Sequence, residues 1–235
     1  MQLFYHPDID ETTSSFAFDK EESRHIIKVL RKQGSDILFV TNGLGLLFKT
    51  EIALPSENKC LVNVVSIEKF DRPKPSLHLA VAPTKMNERF EWFLEKATEI
   101  GIAEITPIIC DHSERKVLKT ERMDKILLSA MKQSNQFFLP ILHEAIPFRD
   151  FAGKVDSGQK FIAHCEETGK RTLKSLLIPN SDCVIMIGPE GDFSEKEIKL
   201  ALENDFIPVT LGETRLRTET AAVVAAHSVV FFNEQ

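Results

Sequence analysis

The sequence predicts a small β-rich domain followed by an α/β domain with a mostly parallel sheet. Short alternating runs fill the chain up to about residue 70, and longer apolar runs alternate with helical patterns beyond it. The segment Asp71-Arg72-Pro73-Lys74-Pro75 separates the two patterns. Because proline interrupts both strand ladders and helices, we place the boundary there and predict domains at 1–70 and 71–235.

The first domain is expected to be a small barrel of meandering antiparallel strands. Runs with the character of strands occupy 37–40, 46–52 and 60–65. Asn42-Gly43 follows the first of them, and because both residue types tolerate positive φ, the pair predicts a tight hairpin turn.

One helical stretch is expected in this domain, from about residue 20 to residue 32. Its basic side chains, which lie away from its apolar side, are Arg24, Lys28 and Arg31. Two interpretations stay open: the basic face meets a phosphate backbone, or it is an ordinary solvated helix face.

The second domain is expected to bury parallel strands between helices. The predicted strands are 77–82, 105–109, 161–164, 184–187 and 208–211. One helix should start with Asn87 as its N-cap and stop at Gly101. Another should start at Ser194, where Glu197 three residues later completes a capping box.

The last helix is expected from about residue 218 to residue 232, and its segment 221–226 is apolar nearly all round. Such a helix has to be covered on several sides. Burial in the domain core and burial at a subunit interface both account for it, and the sequence leaves both open.

Composition narrows the class of protein. The chain has 235 residues, 43% hydrophobic and 27% charged, which is typical of a folded globular protein. It shows neither a signal-peptide pattern nor a membrane-spanning run, so a cytosolic location is expected. The net charge of −6 weighs mildly against nucleic-acid binding, although Lys and Arg are locally clustered. The cysteines lack CxxC spacing and are expected to be buried, reduced thiols: Cys60, Cys110, Cys165 and Cys183.

Two loops that follow predicted strands carry the candidate chemistry, because ligands bind at the carboxyl ends of parallel strands. The first loop, 187–193, contains two glycines and precedes a capped helix. It contains neither a Walker sequence nor a GxGxxG fingerprint. Alone, it fits an ordinary turn as well as a ligand loop.

The second loop, 211–221, leads directly into the last helix. Thr218 is a plausible N-cap, and Glu219 complements the helix dipole. Capping does not explain Arg215 and Arg217, since a cation near a helix N-terminus is locally unfavourable. An external anion or a nearby carboxylate is therefore expected.

These loops and their flanks resemble a known family. Gly188-Pro189-Glu190-Gly191-Asp192-Phe193, Leu211-Gly212 and Leu216-Arg217-Thr218-Glu219-Thr220-Ala221 resemble the signature of the bacterial small-subunit ribosomal RNA uridine-N3 methyltransferases, in the SPOUT superfamily. Further matches are His25 with Val29-Leu30-Arg31, Lys96-Ala97-Thr98-Glu99-Ile100-Gly101 and Ser113-Glu114-Arg115. The resemblance extends over nearly the whole chain.

The resemblance implies a PUA-like barrel followed by a SPOUT domain with a deep trefoil knot, whose loops hold S-adenosylmethionine largely through backbone groups. The residues expected to bind this cofactor are His164, Glu166, Ile187, Gly188, Glu190, Gly191, Leu211, Gly212, Leu216, Arg217, Thr218 and Ala221. Cys165, between His164 and Glu166, is expected to line the same pocket. No metal is expected, because His164 and Glu166 have no third ligand nearby in the sequence.

Methylation of uracil N3 requires an extruded base and loss of the N3 proton. Arg217 is the candidate for stabilising charge on the uracil oxygens, and Glu190 or Glu219 for accepting or relaying the proton. Pairing of either glutamate with an arginine is an equally open interpretation. The residues expected to contact RNA are Arg24, Lys28, Arg31, Arg115 and Lys116.

The resemblance also implies 16S ribosomal RNA of the small subunit as the partner, and a homodimer. The chain departs from the family at Asp192, where many members have glycine, and at Gln2 and Gln136, near which the family often has basic residues. Three alternatives stay open. The first is a methyltransferase of the same superfamily acting on another RNA position, and the second is an RNA-binding protein without cofactor. The third, a small-molecule nucleotide enzyme of flavodoxin-like type, is disfavoured by the missing phosphate loop.

Overall fold

The computed structural model describes residues 1–155, 158–165 and 170–234. They form two compact units. The first contains residues 1–72 together with 131–139, and the second contains 73–130 together with the chain from 140 onward. The segment 131–139, which the sequence analysis assigned to the second domain, therefore lies in the first unit.

The first unit is built on a five-stranded sheet. Its elements are β1 (Leu3–Tyr5), β2 (Ser15–Ala17), α1 (Lys20–Arg24), a π-helix (His25–Val29), β3 (Ile37–Thr41), β4 (Leu46–Leu54) and β5 (Leu61–Lys69). The strand order is β1-β3-β4-β5-β2. The predicted antiparallel meander is confirmed for β3, β4 and β5, whereas β1 runs parallel to β3.

The turn between β3 and β4 uses its residues differently from the prediction. Positive φ falls on Gly43 and Gly45, at +73° and +96°. Asn42 contributes through its side chain, whose Oδ1 accepts hydrogen bonds from the backbone amides of Leu44 and Leu46 at 2.9 and 3.2 Å. The hairpin prediction was correct, but only the glycine of the pair takes positive φ.

The helical stretch is shorter and less regular than predicted. Asp19 caps α1 by accepting from the amide of Glu22 at 2.8 Å, and the π-helix follows at once. The helical turns end before residue 32 because Arg31 adopts a left-handed φ of +55°, which no right-handed helix accommodates. The predicted helical stretch is therefore confirmed for residues 20–29 and was wrong for residues 30–32.

Residues 131–139 contact the hairpin turn of the first unit. The amide of Gly45 donates to the carbonyl of Phe137 at 2.9 Å, and the amide of Leu139 donates to the carbonyl of Gly43 at 2.9 Å. The rings of Phe70 and Phe137 lie 4.4 Å apart. A Cβ added to Gly45 would lie 2.4 Å from the ring of Phe138, so only glycine fits there.

The second unit contains a parallel sheet of eight strands, counting one that pairs off the main order. Its strands are β6 (Leu77–Val81), β7 (Glu104–Ile109), β8 (Ile141–Leu142), β9 (Ile146–Pro147), β10 (Gln159–Ala163), β11 (Arg171–Thr172), β12 (Cys183–Ile187) and β13 (Ile207–Thr210). The order is β11-β13-β10-β12-β6-β7-β8, with β9 on β7, and every pairing is parallel. All five strands predicted for this domain are confirmed.

The helices that lie between or after these strands are α2 (Asn87–Ile100), α3 (Thr120–Gln133), α4 (Phe148–Ala152), α5 (Glu195–Glu203) and α6 (Thr218–Asn233). A 3-10 turn spans Leu173–Ser175. The capping box of Ser194 and Glu197 is confirmed, and Gly101 ends α2 with φ +103°. Two cap predictions were wrong by one residue. Met86 rather than Asn87 precedes α2, and Arg217 rather than Thr218 precedes α6.

Core burial accounts for much of the apolar surface of α6. Ala222, Ala225 and Ala226 are fully buried, and the helix packs against α2, β6 and β12. Phe231 near its end is 52% exposed. No helix among the described ranges has the length and apolarity needed to cross a membrane.

Candidate functional site

A cavity of about 630 Å³ opens at the carboxyl ends of β10, β12 and β13. These three strands are neighbours in the sheet, so the loops that follow them meet at one edge. The predicted cofactor residues that line the cavity are His164, Ile187, Gly188, Glu190, Leu211, Gly212, Leu216, Arg217, Thr218 and Ala221.

Three of the predicted cofactor-binding and catalytic residues are not among those lining the cavity. Glu166 lies outside the described residues. Gly191 faces another loop, where an added Cβ would lie 3.0 Å from the Cβ of His112. Glu219 is buried in the first turn of α6 and points towards α2. Cys165, which was expected to line the pocket together with His164 and Glu166, does line the cavity, and Lys170 lines it without having been predicted. Lys170 follows β10 in the chain, so the strand-end rule could have identified it.

Thr218 joins the two candidate loops. Its Oγ1 donates a hydrogen bond of 2.9 Å to the carbonyl oxygen of Gly188, and both groups are buried. The guanidinium of Arg215 adds a second link, a 3.3 Å hydrogen bond to the carbonyl of Glu190. Thr218 therefore connects the start of α6 to the end of β12 instead of capping its own helix.

Asp192 holds the loop after β12 against the loop after β10. Its carboxylate accepts from the amide of Cys165 at 2.8 Å and from the amide of Phe193 at 2.9 Å. The residue takes a left-handed φ of +63°, which glycine adopts without strain. Asp192 therefore combines backbone strain with two charge-assisted hydrogen bonds.

His112, in the loop after β7, supports the same turn. Its Nδ1 lies 3.1 Å from the carbonyl of Gly191 and 3.0 Å from that of Asp192. Carbonyl oxygens only accept hydrogen bonds, so Nδ1 carries the proton. His112 lies just beyond a predicted strand, and the strand-end rule could have identified it too.

The carboxylate of Glu190 is held by the loop after β6. Its Oε1 accepts from the amide of Lys85 at 3.0 Å. The carbonyl of Lys85 in turn accepts from Nη2 of Arg115 at 2.7 Å. The side-chain ammonium of Lys85 pairs with the carboxylate of Glu114 at 2.8 Å. Arg115, one of the predicted RNA-binding residues, is thereby fixed through the backbone of the loop that holds Glu190.

Glu219 has a different environment from Glu190. Only 7% of the residue is exposed, and its Oε1 lies 3.8 Å from Nε of Arg89 on α2. Its Oε2 has no hydrogen-bond partner within the described part of the chain. Among the two candidate proton acceptors, Glu190 lines the cavity and Glu219 does not.

Arg217 is exposed at the cavity and precedes α6. Within the described residues its guanidinium makes no hydrogen bond or ion pair, in contrast to that of Arg215. An unpaired guanidinium beside a helix N-terminus is an electrostatic cost that a bound anion or polar oxygen would offset.

His164 and Cys165, which also line the cavity, directly follow β10. His164 is 7% exposed, and its carbonyl accepts from the ammonium of Lys170 at 2.6 Å. Burial and the carboxylate of Asp192 raise the pKa of the Cys165 thiol, and Arg215 and Lys170 oppose this effect.

The other predicted RNA-binding residues lie on the surface. In the first unit Arg24, Lys28 and Arg31 are exposed, and Lys28 pairs with Glu57 at 2.9 Å. In the second unit Lys116 is exposed next to Arg115.

Two family models match the chain. The model described as RNA methyltransferase domain matches residues 72–230, and the model described as RNA methyltransferase PUA domain matches residues 18–65. The first covers more than half of the chain, and the matched segment contains all lining residues of the cavity.

Named relatives and solved structures agree with these matches. The chain is 32% identical to "Ribosomal RNA small subunit methyltransferase E" of Buchnera aphidicola, over 95% of this chain and 90% of the relative. It matches a probable rRNA-methyltransferase from Porphyromonas gingivalis with a TM-score of 0.93 and 39% identity, covering 100% and 99% of the two chains. The "Ribosomal RNA small subunit methyltransferase E" of Neisseria gonorrhoeae, solved bound to S-adenosyl methionine, gives 0.87 and 26%, covering 99% and 98%.

Proposed function

The chain belongs to the RNA methyltransferase family described by these domain models, and we propose that it transfers the methyl group of S-adenosylmethionine to N3 of a uridine in 16S ribosomal RNA. The observation that carries the proposal is the cavity formed by two glycine-containing loops that Thr218 and Gly188 join. Relatives that align over nearly their whole length act on the small ribosomal subunit by name.

The cavity fits this cofactor. Its volume of about 630 Å³ lies within the range of roughly 300 to 1,000 Å³ that small-molecule sites occupy. A Cβ added to Gly212 would meet nothing within 4 Å, so the backbone there is open to a ligand that approaches closely. Backbone groups of the two loops, including that of Arg217, and the side chain of Lys170 would hold the cofactor.

When bound, the cofactor supplies a methyl group activated by a positively charged sulfur. The N3–methyl bond forms as the sulfur–methyl bond breaks, and the N3 proton has to leave the uracil ring. The chain's contribution is to hold the extruded base in line with the methyl and to stabilise the negative charge that develops on its oxygens.

We assign the second task to Arg217, whose guanidinium has no other partner among the described residues. Glu190 is the better placed of the two glutamates to receive the proton, because it lines the cavity and Glu219 does not. Glu219 would then act indirectly, by holding Arg89 near the start of α6.

The proposal also includes a fold type, an oligomeric state, a cellular location and an RNA-docking surface. The strand order, with β12 between β10 and β6, and the tie between the two loops support a SPOUT domain with a trefoil knot. The exposed Phe231 on α6 supports a homodimer, and a ribosomal substrate supports a cytoplasmic location. The basic residues of the first unit and the Arg115-Lys116 pair support RNA docking.

The test is a methylation assay of the full chain on small ribosomal subunits that lack the modification, with the nucleosides separated by mass spectrometry. The expected result is 3-methyluridine that forms only with added S-adenosylmethionine. A ribose-methylated or otherwise modified nucleoside would favour another member of the superfamily. Calorimetry that detects no cofactor binding would favour an RNA-binding protein without enzymatic activity.

A further inference from the structure

A second cluster of chemically active side chains lies at the opposite edge of the parallel sheet. His78 is the second residue of β6, Glu104 is the first residue of β7, and His143 follows β8. Each therefore lies at the amino-terminal end of its strand or just beyond the short β8, whereas the cofactor cavity lies at the carboxyl ends. The donor atoms of the three side chains all lie within 4.8 Å of one another.

The strand register creates this cluster. His78 is paired directly with Glu104 across β6 and β7, and side chains in register on neighbouring strands share a face. The backbone amide of His143 donates to the carbonyl of Ile105 at 2.9 Å, which fixes the third residue to the same strand. The backbone positions are thus set by the sheet rather than by a loose loop.

The distances between the donors are close to those of a metal site. Nε2 of His143 lies 2.8 Å from Oε2 of Glu104, and Nδ1 of His78 lies 4.0 Å from the same oxygen. Tetrahedral zinc with bonds of about 2.0–2.2 Å separates its ligands by roughly 3.4 Å, between these two values. Small rotations of the side chains are sufficient to equalise them.

The second nitrogen of His78 is already oriented. Its Nε2 lies 2.8 Å from Oγ1 of Thr106, which is 2% exposed, and the ring of Phe151 packs edge-on against the imidazole. Burial lowers the pKa of His78 to about 4, against an opposing effect of Glu104 and with a contribution from His143. His78 is therefore neutral at pH 7, the form in which imidazole binds metals.

We propose that His78, Glu104 and His143 form a binding site for a divalent transition metal of the zinc class, with Thr106 as the outer partner of His78. If Nε2 donates to Thr106, the lone pair of Nδ1 faces the Glu104 carboxylate without a hydrogen bond, and a cation between them removes this repulsion. The side chains are 19%, 32% and 42% exposed, so water has access to the fourth position.

The three ligands have the composition of known zinc sites, two imidazoles and one carboxylate. No metal was predicted from the sequence, since His164 and Glu166 have no third ligand near them in the chain. The new cluster draws its members from residues 78, 104 and 143, which only the sheet brings together. A metal here would link the amino-terminal ends of β6 and β7 to the segment after β8, far along the strands from the methyl-transfer chemistry.

The test is calorimetric titration of zinc chloride into the full chain after treatment with a chelator. We expect one zinc ion per chain, and more than about tenfold weaker binding in Glu104→Gln and in His143→Asn. Thr106→Val should weaken binding by about 10–100-fold because the outer partner is removed. His227→Asn, which removes an exposed histidine of α6, is the matched control and should bind zinc like the unaltered chain.

Circular dichroism checks that each variant is folded. If Glu104→Gln does not fold, His143→Asn provides the test in its place. Equal zinc binding by the control, Glu104→Gln and His143→Asn would overturn the proposal. The absence of zinc binding by the unaltered chain would overturn it too, and the cluster would then be only a contact between histidines and a carboxylate. The titration is made without S-adenosylmethionine and RNA, so its failure and that of the proposed function are distinguishable.

Discussion

Thr218 Oγ1 donates a 2.9 Å hydrogen bond to the carbonyl oxygen of Gly188, and this contact joins the first residue of α6 to the first residue after β12. Thirty positions separate the two residues in the chain. Both lie in the cavity wall, so the hydrogen bond fixes the width of the site as well as the position of α6.

We therefore expect Thr218→Val to weaken both cofactor binding and folding. The substitution keeps the shape of the side chain but leaves a buried carbonyl without a donor, at a cost of about 1–3 kcal/mol. Urea unfolding and calorimetry with S-adenosylmethionine measure the two effects. Thr218→Ser, which retains the hydroxyl, should behave nearly like the unaltered chain, and a loss in Thr218→Ser as large as that in Thr218→Val would contradict the role given to the hydroxyl.

Arg217→Ala should retain the fold and lose most methylation. The side chain is exposed and makes no hydrogen bond or ion pair within the described residues, so its removal costs little stability. Removal of one group that stabilises developing oxyanion charge typically lowers the rate by about 10²–10³-fold.

Turnover on small ribosomal subunits and thermal unfolding are the two measurements. Arg215→Ala is the matched control, because Arg215 bonds to the Glu190 carbonyl and should affect cofactor affinity more than the rate. Unaltered turnover in Arg217→Ala would remove Arg217 from the mechanism.

The elements that the sequence predicted correctly depend on local patterns. The five apolar runs became strands because their apolar character requires burial on both faces, and Ser194 with Glu197 formed a capping box because its partners lie three residues apart. The two site loops followed from the rule that ligands bind at strand ends. This rule needs only the positions of the strands.

The elements that the sequence analysis missed depend on contacts between distant parts of the chain. Phe137 joins the first unit through Gly45 and Phe70, and nothing in its local pattern indicates this. Thr218 was predicted as an N-cap because threonine is favoured at that position, but its hydroxyl donates a hydrogen bond to the carbonyl of Gly188 instead. Glu219 was grouped with the site by sequence proximity, whereas the turn of α6 directs it towards Arg89.

The reactivity of the cysteines should report on the cavity. Cys60, Cys110 and Cys183 are buried, and burial raises the pKa of each thiol, that of Cys183 to about 12. The prediction of burial was wrong for Cys165, which is exposed because it follows β10 and lines the cavity. Iodoacetamide should therefore modify the native chain at Cys165 first, because access and thiolate fraction control alkylation.

S-adenosylmethionine at saturating concentration should slow this modification severalfold by covering the thiol. Peptide mass spectrometry follows the label over time, and Cys165→Ser, which should remain unlabelled while folded, is the control. Labelling of Cys165 at the same rate with saturating cofactor would place the cofactor outside this cavity.

The basic face of the first unit should contribute to RNA affinity by binding phosphate groups. Arg24→Ala combined with Arg31→Ala should weaken binding to ribosomal RNA. The same change should make the salt dependence shallower, by roughly 0.7–0.9 in logarithmic slope for each phosphate that the protein no longer neutralises. Filter binding at several salt concentrations measures both. Lys49→Ala, another exposed basic residue of the unit, is a control of the same charge type.

These substitutions are a better test than deletion of residues 1–70. Deletion would leave Phe137 without its hydrogen bond to Gly45 and its packing against Phe70, and would therefore perturb more than RNA binding. Cofactor affinity should stay unchanged in the arginine variants. An unaltered salt slope would show that this face does not bind phosphate.

Asp192→Gly should destabilise the chain although it relieves backbone strain. Glycine at φ +63° removes a cost of about 1–2 kcal/mol. The same substitution removes the hydrogen bonds from Cys165 N and Phe193 N to a charged carboxylate, each worth about 1.5–3 kcal/mol when buried and less at this half-buried site. The losses exceed the gain, so we expect a net decrease in unfolding free energy of about 1 kcal/mol.

The loop after β10 should also become looser, because Asp192 is what holds Cys165 N. Faster alkylation of Cys165 in Asp192→Gly would report this directly, alongside urea unfolding. Asp192→Asn tolerates the left-handed backbone and keeps a neutral acceptor, so it should fall between glycine and aspartate in both measurements. A glycine variant that is more stable than the unaltered chain would mean that the carboxylate contributes less than the strain it imposes.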